Sequence, residues 1–162
     1  MHESLIDQVM SLCVRMYRGL AACPPSAPHL DRLIGLLERV AHPSHYVTLQ
    51  AKLRLVMLPD TPAEPAAMAR QQQLCEEVLA VLDTVEPGLT RRRGQVLRVL
   101  AITKLRLLRL QPPAGLELVK QMKQTMALLK EVSRCKQFDS KADREDWANT
   151  LKQTMMMCVA NS

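Results

Sequence analysis

Apolar residues recur every three or four positions along most of the chain, in runs separated by short stretches rich in proline, glycine and small polar residues. That period puts the apolar side chains on one face of an α-helix. Six interruptions, "CPPSAP", "AHPSH", "LPDTPAEP", "EPGLT", "QPPAG" and "CKQFDS", leave seven segments of helical length. The first, from about Ser4 to Leu20, aligns Leu5, Val9, Leu12, Met16 and Leu20, and the second, from about Pro28, aligns Leu30, Leu33, Ile34 and Leu37. The third begins within "HPSHYV", where Pro43 suits a first helical turn, and carries Val47, Leu49, Leu53 and Val56. In the fourth, Thr61 and Glu64 stand at capping-box spacing around Pro62, and Leu74, Val78, Leu82 and Val85 follow on one face. The fifth runs from Arg91 to about Leu110 with Val96, Leu100, Leu107 and Leu110 near one face. The sixth uses Leu118, Met122, Met126 and Leu129. The seventh starts at Ser140, with Asp143 three residues on favouring the positive helix end, and carries Trp147, Leu151, Met155 and Cys158.

Nowhere do several runs alternate polar with apolar, as half-buried strands require. Short links between successive helices imply antiparallel neighbours. The predicted fold is therefore all-α, a set of antiparallel helical hairpins in a tetratricopeptide-like array of about seven helices. Its 162 residues suit one domain, with a helix pair over 1–40 and a tetratricopeptide-like C-terminal region over 41–162. The chain lacks the W-x-x-L-G-x-x-Y signature of an orthodox tetratricopeptide unit, and a closed bundle shares its binary pattern. With 48% apolar but only 2% aromatic residues, the core must be built from Leu, Val, Met and Ala.

Five scattered cysteines, Cys13, Cys23, Cys75, Cys135 and Cys158, form no C-x-x-C pair that could hold zinc, and they read as reduced thiols. Asp7, Arg15 and Arg18 interrupt the N-terminal apolar run on a helical period, unlike a signal peptide, and no stretch approaches the roughly 20 apolar residues of a membrane span. The expected location is the cytoplasm or nucleus, away from membranes. A net charge of +6 permits acidic partners. Trp147, Tyr17, Tyr46 and Phe138 are dispersed singly, which argues against a nucleic-acid platform.

Candidate chemistry is sparse. His42 and His45 lie at a helix start without a carboxylate or cysteine in ligand spacing. Glu76 with Glu77, and Asp143 with Glu145 and Asp146, diverge around their helix axes and read as solvated faces or caps. Cys13, Cys75 and Cys158 fall on or beside apolar stripes, where a thiol is inert. These features predict no catalytic, metal or cofactor site. Met155, Met156 and Met157 cannot all face one core from a helix, so they are either core filler at a frayed end or a docking patch for another domain. Arg91, Arg92 and Arg93 sit at a helix start, where each exposed cation costs roughly 0.3 to 1 kcal/mol against the helix dipole. Either Asp83, Glu86 or Glu77 of the preceding helix neutralises them, or they form a receptor for a partner's carboxylate or phosphate, helped by Arg98 and Lys104.

Two stretches carry a family resemblance. "AHPSHYVTLQAKLRL" resembles the histidine-proline-x-histidine-tyrosine start of a C-terminal helix in the arthropod branch of the SET-and-MYND (SMYD-type) lysine methyltransferases. "LCEEVLAVLDTVEPGLTRRRGQVL" is similar to that branch's helix, proline-glycine turn and arginine-containing restart. With the helices between, they cover roughly residues 41 to 110. The resemblance implies the tetratricopeptide-like C-terminal region, which in the family packs beside the catalytic SET part and walls the substrate groove. The chain departs from the family in lacking its MYND-type cysteine array, its asparagine-histidine-serine-cysteine motif and its glycine-rich cofactor motif. The expected function is a non-catalytic helical module that selects a protein partner or substrate, possessing neither cofactor nor enzyme activity of its own. Its partners would be a protein, such as an acidic peptide or C-terminus, or SET and MYND domains in a full-length context. The alternatives are a fragment of an active methyltransferase and a freestanding helical scaffold.

Overall fold

The computed structural model describes residues 4–22, 26–42, 45–58, 63–136 and 140–159. Among them are seven helices and no strand: α1 Leu5–Ala22, α2 Ala27–Val40, α3 Tyr46–Val56, α4 Pro65–Val85, α5 Arg91–Leu110, α6 Leu116–Cys135 and α7 Lys141–Val159. The all-α expectation holds. The chain forms two compact units, Met1–Thr61 and Pro62–Ser162. Helix α3 therefore belongs with α1 and α2, whereas the sequence division at residue 41 put it with the helices that follow.

Local side chains set most helix starts. Ser4 and Asp7 satisfy each other reciprocally at α1: the Ser4 hydroxyl donates to Asp7 Oδ2 at 2.7 Å and accepts from the Asp7 amide at 3.2 Å. Ser140 and Asp143 repeat that arrangement before α7 with the same two distances. At α3 the cap is His45, whose Nδ1 accepts from the Val47 amide at 3.3 Å. Pro43, assigned to that first turn, lies outside the described residues. Helix α4 starts later than its capping-box spacing suggests. Glu64 is the N-cap, makes no side-chain cap bond, and is followed by Pro65. Proline at the first helical position fixes φ and removes an amide that would have had no partner. Thr61 and Pro62 lie outside the described residues.

In the first unit, Leu33, Ile34 and Leu37 of α2 pack with Val47 and Ala51 of α3. Helix α1 adds Val9, Met10, Val14 and Tyr17 to this cluster. That corrects the predicted α1 stripe, for Leu5 and Leu12 are 75% and 51% exposed. The apolar arc of α1 is wider than one stripe, and packing selects the side holding Met10, Val14 and Tyr17. Met16 and Leu20 lie outside the described side chains. Lys52 of α3 is buried yet charged, and its ammonium meets Glu38 of α2 at 2.7 Å.

In the second unit α5 lies between α4 and α6 and touches both. A helix with two neighbours buries more than one stripe. Accordingly Leu97, Ala101, Leu105 and Leu108 are buried beside the predicted Val96 and Leu100, while predicted Leu110 stays exposed at the helix end. Val85 of α4 is likewise exposed, beyond buried Leu74, Val78 and Leu82. On α6 the inner face is Thr125, Leu129, Val132 and Cys135. The α5–α6 approach is close enough to exclude a side chain at Gly94, where an added Cβ would stand 2.6 Å from Cβ of Cys135.

Candidate functional site

The arginine-rich turn is built by α4 ending and α5 beginning within a few residues. Glu86 caps α4, its amide donating to the Leu82 carbonyl. Gly88 then takes φ +111°, a conformation that side chains disfavour, and Thr90 caps α5 by accepting from the Arg93 amide at 3.2 Å. The chain reverses here, because falling numbers on α4 meet rising numbers on α5 in Glu86–Arg92, Asp83–Arg93 and Glu76–Lys104.

The predicted basic site residues can now be placed. Arg92 Nη1 is 3.4 Å from Glu86 Oε2 on the exposed side of the turn. Arg93, with only 16% of its side chain exposed, points between three helices. Its Nη1 meets the Asp83 carboxylate of α4, while Nε and Nη2 donate to Glu131 Oε1 of α6 at 2.9 and 2.8 Å. Burial works against the charge of Arg93, but the hydrogen bonds and negative charge of Glu131, joined by Asp83, raise its pKa above the ordinary arginine value. Arg91 is exposed, and its charge acts on Asp143 of α7. Arg98 lies with its guanidinium carbon 5.6 Å from the centre of the Trp147 ring and Nη2 3.7 Å from Asp146 Oδ2. Lys104 Nζ is 3.1 Å from Glu76 Oε1.

Asp83 and Glu86 are two of the three carboxylates that the sequence offered for neutralising the arginines. The third, Glu77, instead accepts from Gln73 at 2.9 Å and lies 3.8 Å from Arg70. Glu131 was not legible at all, since it is 38 residues from Arg93 and reaches it only through the packing of α6 on α5.

Elsewhere the described side chains do structural work. Trp147 is buried and donates its indole N–H to Ser133 Oγ at 3.2 Å, and that hydroxyl donates onward to the Leu129 carbonyl. Asp143 has its carboxyl held below the usual range, first by the Ser140 hydrogen bond and, against some desolvation, by the charges of Lys136 and Arg91. Cys75 and Cys135 are buried, and burial, with the charge of Glu76, pushes the Cys75 thiol up to about 12. Among the described residues no group of three His, Cys, Asp or Glu side chains could hold a metal ion. No described helix is long and apolar enough to cross a membrane. Met156 is 63% exposed, and the side chains of Met155, Met157 and Cys158 lie outside those described.

One surface was not singled out by the sequence. On α6, Lys120, Lys123, Ala127, Lys130 and Arg134 recur at helical spacing and are all exposed. Leu116, 86% exposed, and Val119 stand at the N-terminal end of the same face. Lys120 lies 3.8 Å from Glu117, whereas Lys123, Lys130 and Arg134 make no ion pair among the described residues.

No protein-family model, curated protein or solved structure matches the chain.

Proposed function

We propose that this chain is a non-catalytic, tetratricopeptide-like helical module that binds another protein. Its role is the one implied by the resemblance to the C-terminal region of SET-and-MYND lysine methyltransferases, namely selection of a partner or substrate. The observation that carries this reading is the contrast between the two sides of α6. Inside, Arg93 bonds Glu131 of α6 and Asp83 of α4, so three helices are joined by one side chain. Outside, Leu116 and Val119 remain in water beside a row of cations. Helical arrays held by neighbour contacts present broad outer faces to partners, and apolar side chains kept exposed gain free energy when a partner covers them. The pairing of Arg92, Arg93, Arg98 and Lys104 with carboxylates of the same chain gives those residues the task of holding the array together.

The test is a selection of displayed peptides on the purified chain, followed by calorimetry with the winners and, separately, with S-adenosylmethionine. Saturable peptide binding, protection from hydrogen exchange along the helices, and no heat from S-adenosylmethionine are expected. Saturable binding of S-adenosylmethionine, or methyl transfer to a lysine peptide, would replace this reading with an enzymatic one.

A further inference from the structure

Six cations of the second unit outside α6, Arg70, Arg92, Arg93, Arg98, Lys104 and Lys141, are each paired with a carboxylate on the same or a neighbouring helix. The outward face of α6 is different. From Lys120 to Arg134 its charges extend over about 21 Å at the rise of an α-helix. Three of the four have no ion-pair partner among the described residues. Other cations without such a partner among the described residues, Arg106 on α5 and Arg144 and Lys152 on α7, do not form a row of three along one helix. The two acidic residues of α6 leave most of this row uncompensated, because Glu131 is turned in to Arg93, and Glu117 accepts from Gln121 and meets only Lys120 among these cations.

We infer that this face of α6 docks an acidic amphipathic helix of a protein partner, with Leu116 and Val119 receiving an apolar side chain at one end and Lys123, Lys130 and Arg134 facing carboxylates along the rest. This rests on the reading of the chain as a protein-binding module and names its surface and partner class. The match is one of pitch and sign. Carboxylates three, four and seven residues apart on a partner helix repeat over the same 5.4 Å turns as the α6 cations. Opposed rows of charge steer encounter and fix orientation, and covering Leu116 removes apolar surface from water. A phosphate backbone would use the cations but offers nothing to Leu116 and Val119, and no aromatic side chain stands on this face to stack a base.

The experiment uses the full chain and a fluorescent synthetic helix carrying glutamates at three- and four-residue spacing behind one leucine, read by anisotropy at two salt concentrations. Saturable binding that weakens with salt is expected. Lys123→Glu with Lys130→Glu and Arg134→Glu should weaken it by about tenfold or more. The charge-matched control Arg32→Glu with Arg106→Glu and Arg144→Glu should leave it within about twofold. Leu116→Ser should weaken the peptide while leaving any binding of duplex DNA or of single-stranded RNA unchanged. Equal loss in both triple variants would mean that only net charge matters and would overturn the proposal, as would tighter binding of either nucleic acid through the same α6 cations. Should display-selected peptides bind with no effect of the α6 reversals, the α6 assignment falls and the module reading stands. Failure of every peptide, selected or designed, removes both.

Discussion

Replacing Gly94 with alanine sets two opposing effects against each other, and the structure gives the sign of the result. In a helix interior alanine is favoured over glycine by about 0.8 to 1 kcal/mol. The new methyl would, however, lie 2.6 Å from Cβ of Cys135, roughly 1 Å inside an ordinary carbon contact of about 3.5 Å. Both atoms are Cβ atoms, so no rotamer change separates them and the helices must move apart. Overpacking of this kind costs about 1 to 3 kcal/mol, and the movement also loosens the neighbouring bonds from Arg93 to Glu131. We expect a net loss of about 1 to 2 kcal/mol, which for a unit of this size lowers Tm by about 4 to 8 °C per kcal/mol. Trp147, the chain's single tryptophan, lies in the second unit, so its fluorescence follows that unit during urea unfolding. Gly35→Ala is the control. Nothing lies within 4 Å of its added Cβ, and it should stabilise the first unit by about 0.5 to 1 kcal/mol, read by circular dichroism. The double variant Gly94→Ala with Cys135→Gly should recover part of the loss, because one of the clashing atoms is gone. If Gly94→Ala proves as stable as the parent, the helices do not approach as closely as described.

Three further changes have defined outcomes. Gly88→Val should destabilise the second unit by the roughly 1 to 2 kcal/mol of a side chain forced to positive φ and so lower its thermal midpoint; the open space around Gly88 leaves backbone strain as the cause, and an unchanged midpoint in scanning calorimetry would refute it. Arg93→Ala should destabilise the second unit by about 1.5 to 3 kcal/mol, the range for hydrogen bonds to charged groups, with a double-mutant cycle showing coupling to Glu131→Gln but not to Glu117→Gln. The lowered pKa of Asp143 means that its contribution is present above the ordinary aspartate value of about 3.9 and is lost as pH falls through the lower, folded value. A carboxyl titration followed by nuclear magnetic resonance should therefore find Asp143 below the usual range and Ser140→Ala should raise it.

How much of this was readable in the sequence follows from how far apart the cooperating residues lie. The seven helices were legible because each repeats its apolar period over several turns, and the Pro87-Gly88 turn because only glycine suits positive φ without strain. The Ser140–Asp143 cap was legible because three residues suffice to form it. Capping-box spacing misled at α4, where the start moved to Pro65, since a proline at the first helical position is itself sufficient. The wrong α1 stripe has another cause. Apolar residues occur on two adjacent sides of that helix, and only the surfaces of α2 and α3 choose between them. Glu131, Cys135 opposite Gly94, and the stacking of Arg98 on Trp147 were invisible because each joins helices far apart in the chain. The row on α6 was present in the sequence throughout, but a charged face looks solvated until the partners of the other cations are known.

The position of Arg93 has a mechanical consequence. Drawn out from its C-terminal end, the second unit would yield in steps. Helix α7, held through Trp147 and Arg98, would come away first, with the indole leaving Ser133. The next step removes α6, and it must break both Arg93–Glu131 bonds while leaving a charge in a largely enclosed place with Asp83 as its remaining partner. Such a step resists partial peeling, since half-detached α6 loses the ion pair before it regains hydration of the guanidinium. The array thus has a latch near the α4–α5 turn, and load applied by a tethered neighbour would reach α4 and α5 only after that latch opens.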